Sequence, residues 1–201
     1  MKINLLHSPY DGQKIEEWKK TTEKLIAQHP LKPEEIVAAV KRAWNAIING
    51  DLCGYKIGRD IFPSPQVIGS LFHELIPLMI VEGVGKDWRR DEGKNEKDLV
   101  YIPDDVYSIE IKTSTNKNKI FGNRSYGQKQ FKDDVKTKRG YYIAVNYEKI
   151  TKNTKSPIIY KIRFGWIDYE DWKSQSASTG QQATLPPEVE QNKLITLWSA
   201  T

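Results

Sequence analysis

One stretch of this sequence decides how the chain folds: Asp98-Leu99-Val100-Tyr101-Ile102-Pro103-Asp104-Asp105-Val106-Tyr107-Ser108-Ile109-Glu110-Ile111-Lys112. It begins with a short apolar run, turns at Pro-Asp-Asp and continues as an alternating run, which predicts a β-hairpin. Because strand side chains alternate, Glu110 and Lys112 project together from one face of the second strand. Pairing of the two strands around that turn then places Asp98 opposite Glu110, on the same face.

The two acids and the lysine of this hairpin form a group with a specific chemistry. Opposed residues on paired strands have Cβ atoms about 5 Å apart, and carboxylates at that distance repel each other unless a cation lies between them. The chain has one cysteine and three dispersed histidines, so carboxylates would have to hold any metal, which favours Mg²⁺ or a similar hard cation. A carboxylate pair beside a lysine is what metal-assisted hydrolysis of a phosphodiester requires. The alternative is a salt-bridge ladder on a solvated sheet face, which explains one acid beside Lys112 but not the second.

The composition of the chain is that of a folded, basic protein. Its 201 residues, 38% hydrophobic and 10% aromatic, suffice for one compact domain and exclude disorder over the whole length. No run approaches the roughly 20 apolar residues that span a bilayer, and there is no signal-peptide core at the start, so we expect a cytoplasmic protein. The formal net charge of +5 is unevenly placed, because residues 112–139 contain nine bases and two acids. Such a segment suits a polyanionic partner.

Hydrophobic periodicity predicts three helices in the first part of the chain. The first lies between residues 12 and 28, the second starts at Pro33 and ends at Gly50, and the third starts at Pro65. Pro77 is expected to kink or end the third helix. The apolar side of that helix is expected to comprise Val67, Leu71, Leu75 and Leu78. Its second, polar face is expected to comprise Gln66, Ser70, His73 and Glu74.

The second part of the chain is predicted to be rich in strands. Beyond the hairpin we expect strands at residues 140–145, 158–167 and 194–198, a helix at 123–137 and a polar loop at 174–182. This order predicts an α/β or mixed α+β fold, with a mixed β-sheet flanked by helices. We expect residues 1–63 to form a helical N-terminal extension packed on a core of residues 64–201, the whole making one compact domain.

The spacing of Asp98, Glu110 and Lys112 resembles the motif of the PD-(D/E)xK nuclease superfamily, and in particular that of type II restriction endonucleases. The resemblance covers residues 64–167, about half of the chain. It implies a restriction-endonuclease-like core in which Asp98 and Glu110 hold one or two Mg²⁺ and Lys112 positions or activates the attacking water. A glutamate of the preceding helix often joins the metal in that family, and Glu74 is the matching residue. The segment after the motif and residues 166–169 also resemble the ScaI-type restriction enzymes.

One position departs from the family motif. Lys97 precedes the aspartate where the family has a proline. A literal Pro103-Asp104 pair occurs at the predicted turn, but Asp104 lies about 20 Å along the strand from Glu110, too far to share a metal with it. Asp98 is therefore the expected ligand.

The resemblance and the basic segment together imply a DNA substrate. Lysine and arginine neutralise phosphates, while Asn, Gln and Arg side chains read base edges in the major groove. The residues expected to contact DNA are Lys117, Lys119, Asn123, Arg124, Ser125, Tyr126, Gln128 and Lys129. The implied activity is cleavage of both strands of a specific double-stranded DNA site by a C₂ homodimer, with a cognate methyltransferase as a functional partner. The open alternatives are a repair or recombination nuclease of the same fold and a non-catalytic DNA-binding protein.

Overall fold

A six-stranded mixed sheet forms the centre of the protein. The structure is a computed structural model and describes residues 3, 5–93, 95–127, 138–175 and 181–200. Its strands are β1 (Trp88–Arg90), β2 (Leu99–Tyr101), β3 (Ile109–Ser114), β4 (Phe121–Asn123), β5 (Gly140–Tyr147), β6 (Ile159–Ile167), β7 (Lys173–Ser174), β8 (Gln182–Thr184) and β9 (Leu194–Ser199). The central sheet has the order β1-β2-β3-β5-β6-β9, with β3 and β5 parallel and the other neighbours antiparallel. A small antiparallel sheet has the order β4-β8-β7.

Helices flank this sheet, so the predicted mixed α/β architecture is confirmed. The described α-helices are α1 (Ile15–Gln28), α2 (Pro33–Asn49), α3 (Pro65–Val84) and α4 (Pro187–Asn192). Both α1 and α2 carry two glutamates in their first turn, where negative charge complements the helix dipole. Gly50 caps the end of α2 as predicted. Pro77 does not end α3, which continues through this buried proline to Val84.

The face that α3 buries differs from the predicted one. Its buried large side chains are Ile68, Phe72, Ile76 and Ile80. The predicted residues Val67 and Leu78 are instead exposed. Apolar residues occur all round this helix, so periodicity alone does not choose the buried face, and tertiary contacts such as the stacking of Phe72 on Trp44 do. By length and composition α3 is also apolar enough to cross a membrane, which corrects the expectation that no segment approaches that length.

Two apolar clusters lie on opposite faces of the central sheet. The first joins α1, α2 and α3 to the isoleucines of β3 and to alternate residues of β5 and β6. The second joins Tyr142 and Ala144 of β5 to α4 and the small sheet. Every residue of β5 is buried, which confirms the prediction that this strand belongs to the core. The helical first part of the chain thus shares one core with the sheet.

The connection between β2 and β3 is more structured than a tight hairpin turn. Residues Asp105–Tyr107 form a 3₁₀ turn, which the carboxylate of Asp104 caps by accepting from the Val106 N–H at 3.1 Å. The alternation predicted that the second strand starts at Val106, whereas the strand starts at Ile109.

Two predicted elements around the small sheet need correction. The helix predicted at 123–137 does not start as expected, because β4 ends at Asn123 and Arg124–Gly127 form a 3₁₀ helix; residues 128–137 lie outside the described residues. The predicted loop at 174–182 contributes its described ends to β7 and β8, while residues 176–180 lie outside the described part.

A buried ionic group ties distant parts of the chain together. Asp168 is 3% exposed and accepts hydrogen bonds from Ser8 Oγ at 2.7 Å and Lys193 Nζ at 2.9 Å. The Nε atom of Arg139 lies 3.1 Å from the same carboxylate, and Lys193 also contacts Asp171 at 2.8 Å. Loss of Asp168, Arg139 or Lys193 would leave a buried charge without its partner, so the fold strongly requires these three residues.

Candidate active site

The register of β2 and β3 brings the two predicted acids together. Leu99 pairs with Ile109, so the preceding residue, Asp98, lies opposite Glu110 as the sequence predicts. On its other side β3 pairs in parallel with β5, and Glu110 lies beside Tyr142. Because Tyr142 belongs to the second apolar cluster, Glu110 and Lys112 project toward the small sheet rather than toward the helices.

Glu110 and Lys112 form an ion pair through Oε1 and Nζ, with side chains 12% and 13% exposed. The hydroxyl of Tyr126 donates to the same carboxylate oxygen at 2.7 Å, and its ring centre lies 4.8 Å from Lys112 Nζ. Burial and the charge of Glu110 raise the pKa of Tyr126, so its hydroxyl keeps its proton and acts as a donor. Burial acts to lower the pKa of Lys112, but the charges of Glu110 and Asp98 outweigh it and raise that pKa.

Asp98 is held from two sides. Its Oδ2 accepts a hydrogen bond from the backbone N–H of Ile111 at 2.6 Å, and its Oδ1 lies 3.0 Å from Nδ1 of His73 on α3. Burial acts to raise the pKa of this carboxyl, but the hydrogen bond and charge of His73, with the charge of Lys112, outweigh it and lower the pKa. Asp98 is therefore an oriented carboxylate at the start of β2.

Lys97, which replaces the proline of the motif, is buried. Its Nζ donates to the carbonyl of Arg139 at 2.8 Å. Burial lowers the pKa of Lys97 to about 8, against the opposing effect of the charges of Glu110 and Asp98. The residue after Arg139 is Gly140, with φ 136°, and a Cβ at that position would collide with the Lys97 amine. The departure from the motif thus places a buried amine near the acids and requires a glycine beside it.

Glu74 is not brought into contact with these acids. Its exposed side chain forms an ion pair with Arg90 of β1. It does share a helix face with His73 and Gln66, as predicted, since all three line one shallow depression. His73 is the residue of that face that contacts Asp98. Across the described ranges, no three His, Cys, Asp or Glu side chains are grouped in a way that could hold a metal ion.

The residues predicted to contact DNA lie mostly beyond the carboxyl end of β3. Lys117 and Lys119 belong to the loop that follows this strand, and Lys119 lines a cleft of about 640 Å³ together with Lys161. Asn123 is exposed at the end of β4.

The remaining predicted DNA contacts differ in their surroundings. Arg124 and Ser125 lie in the 3₁₀ helix after β4, and the Ser125 carbonyl accepts from a lysine at 2.6 Å. Tyr126 turns its hydroxyl inward to Glu110. Gln128 and Lys129 lie outside the described residues.

Two members of the site were not anticipated in these roles. His73 was expected only as part of the polar face of α3, because nothing in the sequence shows that α3 crosses the start of β2. Tyr126 was expected to contact DNA, because its neighbours in the chain are basic and polar. The one available signal was that His73 is a polar residue on the same predicted helix face as Glu74.

A mixed sheet flanked by helices, with Asp98, Glu110 and Lys112 meeting beside one strand, defines a nuclease of the PD-(D/E)xK class. The model of the ScaI restriction endonuclease family matches residues 8–198. The chain belongs to this family and is therefore a restriction endonuclease, an enzyme that acts on DNA. It is 45% identical over 192 residues to the type II restriction enzyme ScaI of Streptomyces caespitosus, covering 94% of this chain and 84% of that protein.

A solved structure is also similar. The restriction endonuclease BglI bound to its DNA recognition sequence matches with a TM-score of 0.42 and 11% identity, over 90% of this chain and 87% of that one. A likeness of this degree supports no further inference.

Proposed function

We propose that the chain is a Mg²⁺-dependent type II restriction endonuclease that hydrolyses phosphodiester bonds in both strands of a specific double-stranded DNA site. The observation that carries this proposal is the meeting of Asp98, Glu110 and Lys112: the acids are opposed across β2 and β3, and the lysine contacts Glu110. A solvated salt-bridge ladder would leave these side chains exposed, whereas Glu110 and Lys112 are largely withdrawn from solvent.

Asp98 and Glu110 would hold the metal. Mg²⁺ takes oxygen ligands and is commonly bound by one or two carboxylates, with water and substrate phosphate completing its shell. The two acids offer oxygen donors of that kind on adjacent strands. Glu74 is a further candidate ligand, because it lies next to His73, which contacts Asp98. When bound, one or two Mg²⁺ would draw charge from the phosphodiester and make water a better nucleophile.

Lys112 acts beside the metal ligands by orienting the attacking water and balancing the charge that develops on the phosphate. An ammonium group has three N–H donors, so its contact with Glu110 leaves further donors for water or phosphate. Tyr126 holds Glu110, while His73 and the Ile111 N–H hold Asp98. These contacts orient the reacting groups before DNA arrives, and orientation in advance is what electrostatic catalysis depends on.

The same proposal extends to DNA binding and assembly. The basic residues after β3 and the polar residues around β4 contact the duplex; they are Lys117, Lys119, Asn123, Arg124 and Ser125, with Gln128 and Lys129 beyond the described part. Cleavage of both strands of a symmetric site requires two active sites, which a C₂ homodimer provides. A cognate methyltransferase protects the host DNA, and the enzyme acts in the cytoplasm. Residues 1–63 form a helical extension packed on a catalytic core of residues 64–201, which the shared apolar cluster supports.

The experiment incubates the full chain with mixed plasmid and phage DNA, in Mg²⁺ and in EDTA. The active-site variants are Glu110→Gln and Lys112→Met. The matched controls are Glu23→Gln and Lys24→Met, which change exposed residues of α1. Discrete fragments that require Mg²⁺, persist in both controls and vanish in both active-site variants are expected.

Other outcomes would assign a different function. A smear with the same Mg²⁺ and variant dependence would indicate a repair or structure-selective nuclease. DNA that is retarded in a gel but never cut, with no effect of Mg²⁺, would overturn the catalytic assignment and indicate a DNA-binding protein.

A further inference from the structure

A wide cleft with an uncharged polar lining opens at the carboxyl end of the catalytic strand. Its volume is about 660 Å³, and it lies between the first turn of α3, the end of β3 and the β4–β8 pair. Its polar side chains include Gln66, Thr113, Ser114, Asn116, Asn123 and Gln182. Within the described residues, no lysine, arginine, aspartate or glutamate lines it. It therefore offers hydrogen-bond donors and acceptors without net charge.

The position of this cleft relates it directly to the site of cleavage. Its wall along β3 begins at Thr113, the residue after Lys112. Strand residues are about 3.3 Å apart, so the cleft begins within one or two residues' length of the catalytic lysine. A duplex whose reacting phosphate meets Lys112 would place its neighbouring base pairs at the cleft.

Asn123 and Gln182 are paired in register across β4 and β8. Both are exposed, and directly opposed strand residues project from the same face. The next pair, Gly122 with Ala183, is buried on the other face, where a Cβ on Gly122 would meet Trp172 at 3.2 Å. This packing fixes which way the strand pair faces. Among the described residues, neither side-chain amide has a hydrogen-bond partner, so both remain available to a ligand.

We propose that Asn123 and Gln182 each read an adenine in the major groove of DNA, next to the phosphodiester that is cut. This inference rests on the proposed function as a DNA-cleaving enzyme. The major groove admits a two-stranded β-ribbon, and an Asn or Gln amide can donate to N7 and accept from the N6 amino group of adenine. A surface that contacted only the DNA phosphates would require lysine or arginine side chains. The cleft lining has none of these among the residues described.

The experiment uses a library of DNA duplexes with a randomised core. Cleaved ends are sequenced after reaction in Mg²⁺, and bound duplexes are selected by gel shift in EDTA. The variants are Asn123→Ala and Gln182→Ala, with Gln28→Ala, an exposed amide at the end of α1, as the matched control. Asn123→Asp is a second variant that keeps the shape of the side chain but removes its N–H donors.

Each alanine variant is expected to lose its preference for adenine at one position and its symmetry mate, by about 10- to 100-fold, with preferences elsewhere unchanged. Asn123→Asp is expected to lose the preference at the same position as Asn123→Ala. Wild-type selectivity that both alanine variants retain, or a uniform loss for all sequences, would overturn this inference alone. A wild-type enzyme that selects no sequence in binding or cleavage would overturn the proposed function as well.

Discussion

Replacing Tyr126 with phenylalanine removes one hydroxyl from the proposed active site and leaves the ring in place. The hydroxyl donates to Glu110 at 2.7 Å, whereas the ring packs edge-on against Trp172 with centroids 5.1 Å apart. Only the first contact is lost in the variant. A hydrogen bond to a charged group is worth about 1.5–3 kcal/mol. Because the Glu110 side chain is 12% exposed, water replaces the hydroxyl poorly, and we expect the cleavage rate to fall about 10- to 100-fold.

The assay is single-turnover cleavage of a duplex containing one site, across a series of Mg²⁺ concentrations. We expect a lower maximal rate and a higher Mg²⁺ concentration at half-maximal rate for Tyr126→Phe, with DNA affinity in EDTA within about twofold of wild type. Tyr55→Phe is the control, because Tyr55 is 61% exposed, and urea unfolding checks that both variants are folded. An unchanged rate and Mg²⁺ dependence would refute the positioning role. A loss confined to DNA binding would show that Tyr126 contacts DNA instead, as its neighbours in the sequence suggested.

Three further predictions concern the proposed metal ligands, a buried histidine and a glycine. Asp98→Asn is expected to reduce cleavage at least about 100-fold. Glu74→Gln is expected to retain more than about a tenth of the wild-type rate, because Glu74 contacts Arg90 and would add only a further ligand to a metal held by Asp98 and Glu110. A cleavage assay in which Glu74→Gln loses more activity than Asp98→Asn would contradict the assignment. Burial lowers the pKa of His29 to about 4. The folded protein therefore prefers the neutral ring, whereas the unfolded chain takes up a proton near pH 6.5. The free energy of unfolding is expected to fall by about 3 kcal/mol as the pH falls from above 6.5 toward 4. Urea unfolding of wild type and His29→Asn between pH 6.5 and 4 measures this loss. If the free energy of unfolding fell equally steeply with pH in both proteins, the prediction would be wrong. Gly140→Ala is expected to lower the free energy of unfolding by about 2 kcal/mol or more, because of its positive φ and the collision described above. Its control, Gly83→Ala in α3, has open space around it and is expected to be neutral or stabilising by up to about 1 kcal/mol.

Strand β3, which carries Glu110 and Lys112, was the most predictable part of the molecule. Strand side chains repeat every two residues, and the turn at Pro-Asp-Asp limits how the two strands can pair. These two constraints were enough to place Asp98 opposite Glu110, and the register of Leu99 with Ile109 confirms it. The 3₁₀ turn before β3 did not change that register, although it shortened the strand.

The contacts that hold Asp98 and Glu110 were not predictable in the same way. The approach of His73 to Asp98 depends on where α3 crosses the sheet, and that depends on which side of an almost wholly apolar helix is buried. The sequence favoured the side containing Val67, whereas packing buries the side containing Phe72. Tyr126 reaches Glu110 from the 3₁₀ helix that follows β4, so its role follows from tertiary structure rather than from any local pattern.

The buried group around Asp168 has a consequence for when this enzyme can form during synthesis. Its partners stand at residues 8, 139 and 193, so the charge of Asp168 meets all of them only after residue 193 has left the ribosome. The edge strand β9 is completed later still, at Ser199. We therefore expect the nascent chain to stay incompletely folded until Ser199 has left the ribosome. The enzyme would therefore gain its cutting activity only after that residue has left the ribosome.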